Sequence, residues 1–363
     1  MNIENELKRE GIEVISQIDT LIVNSIVKDI SRKIVETFPD FHLTESDIFC
    51  RLAKLNMYKA KMPNSITEAN YFYKNSSIYF NENIDIHDLE EFAVHECIHC
   101  LQEIKDENNN LIKMGLCDYT KRRPEGLSLN EAAVQYISCY INGINPDFEK
   151  YYDINLYTTS PSYYPLECSL LNEILYFTGK DVLFKSTLFS NDDFKNKIIS
   201  LTSEKTFYNI QSSLDKILKL ENIISKIDSK INLLQDGSTS IDKLMIKSQK
   251  YKQKIAKLYL GTQNIIIQEF FNSEFNRITN LEELENLRRK LYKFSDIIGS
   301  NKDYEFFNNY YVEMMNKLEH KCNVLENGGI ETAVINTSSN YFILLFRKLY
   351  NSIFKKQVHN DNI

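Results

Sequence analysis

The sequence predicts an α+β protein, with a mixed domain over residues 1–185 and an all-helical domain containing a helical hairpin over residues 186–363. Three observations point there. All six prolines lie in the first 165 residues, so nothing beyond them forbids long helices. Between His42 and Asn83 the apolar runs are short, β-branched and aromatic, as in Tyr71-Phe72-Tyr73 and Ser77-Ile78-Tyr79-Phe80. These read as a small sheet. Ile217, Leu220, Ile224, Ile227, Ile231 and Leu234 then step by three and four, which is heptad spacing.

In chain order, Ile12 to Val35 has helical periodicity and stops ahead of Pro39. Asp88, with Glu91 three residues on, has the pattern of an N-cap opening a helix to about Glu103. Asp106 to Asn110 is a polar loop, a further helix starts near Ser128, and another covers Leu166 to Phe177. In the second domain Gln235-Asp236-Gly237-Ser238 marks a turn. A second seam follows through Ile241, Leu244, Tyr251, Ile255, Leu258 and Ile265, weakened by Ser248 and Thr262. The hairpin reads as scaffold, or as an arm for a partner or for self-association. Tyr341 to Lys356 reads as a docked C-terminal amphipathic helix, with a basic side suited to a membrane surface as the alternative.

The net charge of −7 disfavours nucleic acid as a partner. Its distribution is uneven: residues 1–180 hold 17 Lys and Arg against 28 Asp and Glu, and residues 181–363 hold 26 against 22. The opening MNIENELKRE lacks the apolar stretch of a secretory signal, and no run reaches the length of a transmembrane segment. Seven cysteines without a disulfide-scaffold spacing suggest reduced thiols and a cytoplasmic setting.

The strongest motif is Val94-His95-Glu96-Cys97-Ile98-His99, an H-E-x-x-H pattern. With six histidines in the chain, chance gives it roughly one time in a hundred. On a helix, positions four apart share a face, so both imidazoles can reach one zinc ion. Glu96, rotated by about 100°, stands beside the metal, where it can take a proton from bound water. Cys97 and Cys100 flank the second histidine and read as packing residues. Lys121-Arg122-Arg123 reads as a solvated run, with a substrate carboxylate as the alternative ligand.

A catalytic zinc needs a third protein ligand. Glu131, in Leu129-Asn130-Glu131-Ala132, is the leading candidate, with Glu125, Asp118 and Glu103 behind it. Spacing alone leaves a rival open, because Ser128 and Glu131 also fit the capping box S-x-x-E. HECIH with a downstream Asn-Glu-Ala resembles the gluzincin metallopeptidases, the thermolysin-like clan. The stretches Leu129 to Tyr136, Tyr164-Pro165-Leu166 and Leu171 to Gly179 are similar to compact bacterial members. The resemblance spans about residues 77–181 and does not reach residues 186–363. It implies a zincin-like catalytic domain, with His95, His99 and Glu131 as zinc ligands and Glu96 as general base. One departure stands out: Val134-Gln135 occupies the place of Ser-Asp, the acidic partner of a zinc-bound histidine.

A hydrolytic site also needs a donor for the developing oxyanion. Position ahead of the third helix favours Tyr164, with Tyr163 next, against a packing role for both. The expected activity is zinc-dependent peptide-bond hydrolysis on a peptide or protein substrate, with a strand near Ser77 to Phe80 flanking the cleft. The alternative is a non-catalytic helical interaction protein with a structural zinc, which would need a fourth protein ligand.

Overall fold

The computed structural model describes residues 3–62, 68–121, 123–234, 239–298 and 305–327. It is a mixed α+β chain. The first elements are α1 (Ile3–Glu10), β1 (Glu13–Gln17), α2 (Thr20–Thr37), a 3-10 turn (Pro39–Phe41), α3 (Glu45–Leu52), β2 (Asn56–Lys61), β3 (Ala69–Phe72) and β4 (Ser77–Asn81). The single helix expected from Ile12 to Val35 is therefore split. Asp19 is the reason: its side chain accepts from the Leu21 amide at 2.7 Å and opens α2 at Thr20. Residues 13–17 instead pair antiparallel with β2 as an exposed edge strand. A short apolar run read by periodicity alone fits either element.

The four strands stand in the order β1-β2-β4-β3, with β2 and β4 parallel and the outer pairs antiparallel. This corrects the expectation that Ser77 to Phe80 flanks the cleft. β4 is paired on both sides and all its residues are buried, so on that side of the sheet β3 is the edge. Over this sheet lies α4 (Leu89–Gln102), where Ala93, Val94, Cys97 and Ile98 are fully buried. Asp88 holds the N-cap position, but its side chain makes no capping hydrogen bond.

A three-stranded sheet follows, β5 (Glu103–Lys105), β6 (Leu111–Met114) and β7 (Cys117–Asp118), and then α5 (Leu127–Ile141). The expected polar loop is the β5–β6 turn, closed by Asp106 Oδ1, which accepts from the Asn108 and Asn110 amides. In the next turn Gly115 has φ +56, and a Cβ there would stand 2.1 Å from the Asn130 side-chain oxygen. That oxygen accepts from the Leu116 amide, tying the hairpin to α5. A two-stranded hairpin, β8 (Asp147–Tyr151) and β9 (Ile154–Thr158), leads to α6 (Pro165–Thr178). The sequence reading did not anticipate that hairpin.

From there the described elements are helices: α7 (Lys180–Leu188), α8 (Asp193–Leu201), α9 (Glu204–Asn232), α10 (Thr239–Arg277), α11 (Leu281–Ile298) and α12 (Glu305–Glu326). Ile217, Leu220, Ile224 and Ile227 of the first heptad seam are buried, whereas Leu234 is exposed. On α10 the buried line runs through Ser248, Ile255, Tyr259, Thr262 and Ile266. Ser248 and Thr262 thus lie inside, made tolerable by hydrogen bonds to Asp228 and to the Leu258 carbonyl. The expected 235–238 turn and the expected helix from Tyr341 lie outside the described residues. Among the described residues no helix is long and apolar enough to cross a membrane.

Two compact units emerge: Met1–Ile266 with Ile297–Asn301, and Ile267–Asp296 with Lys302–Ile363. The second has its own aromatic core, with Phe271 edge-on to Phe294 at 5.2 Å and Tyr310 donating to Asn272. In the first, residues 186–266 stand with residues 1–185 and not apart from them. One contact shows how. Asp215 of α9 accepts from the Gly126 amide at 3.1 Å and the Ser128 amide at 3.0 Å. It thereby caps α5 from 87 residues away in sequence. Asp215→Ala should lower the stability of the whole chain by about 1–2 kcal/mol. Urea titration reads this as a shifted midpoint at constant slope; an unchanged midpoint would deny Asp215 the capping role.

Candidate metal centre

The site is built where two nearly apolar helices turn their few polar side chains toward each other. α4 presents His95 and His99 from positions four apart, with their rings 4.8 Å between centroids and steeply inclined. α5 presents Glu131. Its Oε2 lies 3.4 Å from His95 Nε2 and 3.5 Å from His99 Nε2, and the two imidazole nitrogens are 3.1 Å apart. Among the described residues no further His, Cys, Asp or Glu joins this group. The capping reading of Glu131 fails at its partner: Ser128 sits inside the helix after the Gly126 cap, and its amide is taken by Asp215.

The rivals for the third position have other partners. Glu103 accepts from the Tyr71 hydroxyl and pairs with Lys105, Glu125 pairs with Lys121, and Asp118 accepts from Thr120. The Lys121–Glu125 pair also occupies one charge of the basic run; Arg122 lies outside the described residues. Cys97 is fully buried, and burial pushes its thiol far up; Cys100, beside Tyr71, is pushed up to about 11 by burial. Both stay neutral thiols, in keeping with packing.

Glu96 is buried on the same helix, and its Oε2 accepts from the backbone amide of Tyr71 on β3 at 2.7 Å. The free edge of the sheet therefore runs directly past this carboxylate. His95 makes a second contact: its Nδ1 lies 2.9 Å from Gln135 Oε1, one turn beyond Glu131 on α5. The place where the resemblance expects an acid is filled by a neutral amide.

Tyr164 stands at the start of α6 with φ 52, in the left-handed region that non-glycine residues seldom adopt. Pro165 follows at the first helical position, where its fixed φ is favourable and the residue before it is steered away from helix. The bend lays the Tyr164 ring nearly parallel to His95, with centroids 6.2 Å apart. Burial, then the carboxylates of Glu131 and Glu96, push its phenol far above the ordinary value, so the hydroxyl keeps its proton. The backbone amide of Tyr163 donates to Ser160 Oγ. Tyr151 and Tyr152 hydrogen-bond to each other.

The charges of the cluster are mutually dependent. Burial by itself lowers His99, but the Glu131 carboxylate outweighs it, and the imidazole is pushed up to about 9. Burial likewise favours a neutral Glu131, and the two imidazoles reverse that, holding the carboxyl well below its usual range. The sequence reading missed the Tyr71 amide, and it noted Gln135 only as the residue standing where the resemblance has an acid. Gln135 carries a signal, since it lies four residues after Glu131 and hence on the same face. The Tyr71 contact comes through the backbone and has none.

Comparison of the chain with protein-family models, with curated proteins and with solved structures gives no match.

A metal ion is bound by neutral imidazoles, and His99 of the metal-free cluster is protonated at neutral pH. Binding a divalent cation at pH 7.5 should therefore expel about one proton per ion, and affinity should fall as the pH drops below 9. Calorimetric titration with zinc in buffers of different ionisation enthalpy measures the release. Zero net release would contradict a protonated His99–Glu131 pair.

Proposed function

We propose that this chain is a zinc-dependent metallopeptidase of gluzincin type, with His95, His99 and Glu131 as the zinc ligands. The observation that carries the reading is the spacing of the three donor atoms, 3.1, 3.4 and 3.5 Å. Ligands at about 2.0–2.1 Å in a tetrahedral set stand about 3.3 Å from one another. Two imidazoles and one carboxylate also form a donor set suited to zinc. Three protein donors, with no fourth His, Cys, Asp or Glu among the described residues, favour a catalytic over a structural site.

When bound, zinc supplies Lewis acidity, which acidifies a water molecule and polarises a carbonyl. The other tasks fall to side chains. Glu96 is held through Oε2 by the Tyr71 amide, and its carboxylate accepts the proton of the attacking water. The Tyr164 hydroxyl, kept protonated, donates to the carbonyl oxygen as negative charge develops there. Among the described residues no further strand pairs with the outer side of β3, and that edge can take an extended peptide, so the substrate class is a peptide or an unfolded protein segment.

Glu96→Gln should leave zinc content and melting temperature unchanged and reduce peptide hydrolysis at least about 100-fold. Tyr164→Phe should reduce kcat by about 100-fold with little change in KM. A broad peptide library read by mass spectrometry supplies the substrate. Equal cleavage by wild type and Glu96→Gln would overturn the mechanism, whatever metal is bound.

A further inference from the structure

His95 is gripped from both ring nitrogens by a single helix. Glu131 and Gln135 lie four residues apart on one face of α5; the first approaches Nε2 at 3.4 Å and the second approaches Nδ1 at 2.9 Å. The far end of the Gln135 amide is also engaged. Its Nε2 donates to Ser160 Oγ at 3.0 Å and to Cys139 Sγ at 3.5 Å. Ser160 Oγ accepts in addition from the Tyr163 amide at 3.3 Å, and the Ser160 amide donates to Thr158 Oγ1. With the amide nitrogen directed at Ser160, Oε1 faces His95. In the neutral imidazole Nδ1 then carries the proton, and Nε2, the nitrogen nearest His99 and Glu131, is left with its lone pair for a metal ion.

Ser160 and Tyr163 belong to the connection between β9 and α6, which ends in Tyr164. The path therefore closes on itself, from His95 through Gln135 and Ser160 to Tyr163, and from the adjoining Tyr164 ring back to His95. We propose that Gln135 and Ser160 form a positioning relay that sets the His95 tautomer and couples metal occupancy to the placement of the Tyr163–Tyr164 segment. The inference rests on the metal reading above and adds that the tyrosine segment responds to the metal. A neutral amide suits this task. It can accept from His95 at one end and donate to Ser160 at the other, whereas a carboxylate can only accept.

The test uses the full chain, zinc and cobalt(II) as probes, and the variants Ser160→Ala, Gln135→Leu and Gln135→Glu. Zinc should slow amide hydrogen exchange of wild-type peptides covering residues 158–166. Gln135→Leu should weaken zinc binding about 10–100-fold by chelator competition and alter the visible spectrum of bound cobalt. Gln135→Glu, which keeps the acceptor for His95, should retain the zinc affinity and the cobalt spectrum. Ser160→Ala keeps the metal but should lose the zinc-dependent protection of 158–166, and it carries the test if Gln135→Leu fails to fold. Wild-type affinity, spectrum and protection in both Ser160→Ala and Gln135→Leu would overturn the relay while leaving the metal site standing. A folded wild type that binds neither zinc nor cobalt would overturn the relay and the metal reading together.

Discussion

Around the candidate metal centre the fold depends on bringing the Glu131 carboxylate within 3.5 Å of two imidazoles that stand on a different helix. Carboxylate and imidazole are costly to take out of water unless each meets a partner in good geometry. α4 and α5 also meet through Gln135 on His95 and Asn130 on Gln102, so misplacing α5 by one turn would leave several largely buried polar groups unpaired. Two features hold α5 in place. Asn130, next to Glu131, bonds to the Leu116 amide across a turn that only a glycine at 115 allows. At the helix start, Asp215 binds the two amides that a local cap would otherwise serve. The site is thus set by the ends of α5 as much as by its middle.

What could be read from the sequence follows from how local each signal is. H-E-x-x-H states its own geometry, because a helix places residues four apart on one face, and α4 presents His95 and His99 that way. Glu131 was visible as a candidate, yet spacing could not separate ligand from cap. That choice depends on Asp215, 84 residues further on, and no pattern near Ser128 announces it. The strand order was equally hidden. β3 and β4 have similar composition, and only the pairing shows which of them is the free edge beside Glu96. Periodicity failed at Ile12 to Val35 because the strand run at 13–17 abuts the helix with only Ile18 and Asp19 to separate them.

The composition break after Pro165 is real in secondary structure but weaker as a boundary. Elements rich in proline and short strands do give way to long helices, and the heptad residues from Ile217 to Ile227 are buried. The same helices nevertheless lend polar groups to the part before residue 185. Tyr259 on α10 hydrogen-bonds to Ser169 of α6, and Gln263 donates to the buried Glu173. Composition records which local conformations are permitted. It does not record which surfaces meet.

The buried acids of α6 carry this argument one step further. Glu167 is fully buried, and so is Glu173; burial pushes their carboxyls up, to about 7 and about 8. Glu221 of α9 faces Glu167 and is driven up as well, first by burial and then by that neighbour. Two carboxyls confined together cannot both ionise cheaply, so the pair holds a proton and binds as a neutral or singly charged unit. Such an arrangement costs stability relative to apolar packing. Tyr164, in a left-handed backbone conformation, is the cap that precedes α6. Further along the same helix, Ser169 and Glu173 are held by Tyr259 and Gln263 of α10, so the helix that follows Tyr164 is tied to residues beyond 185.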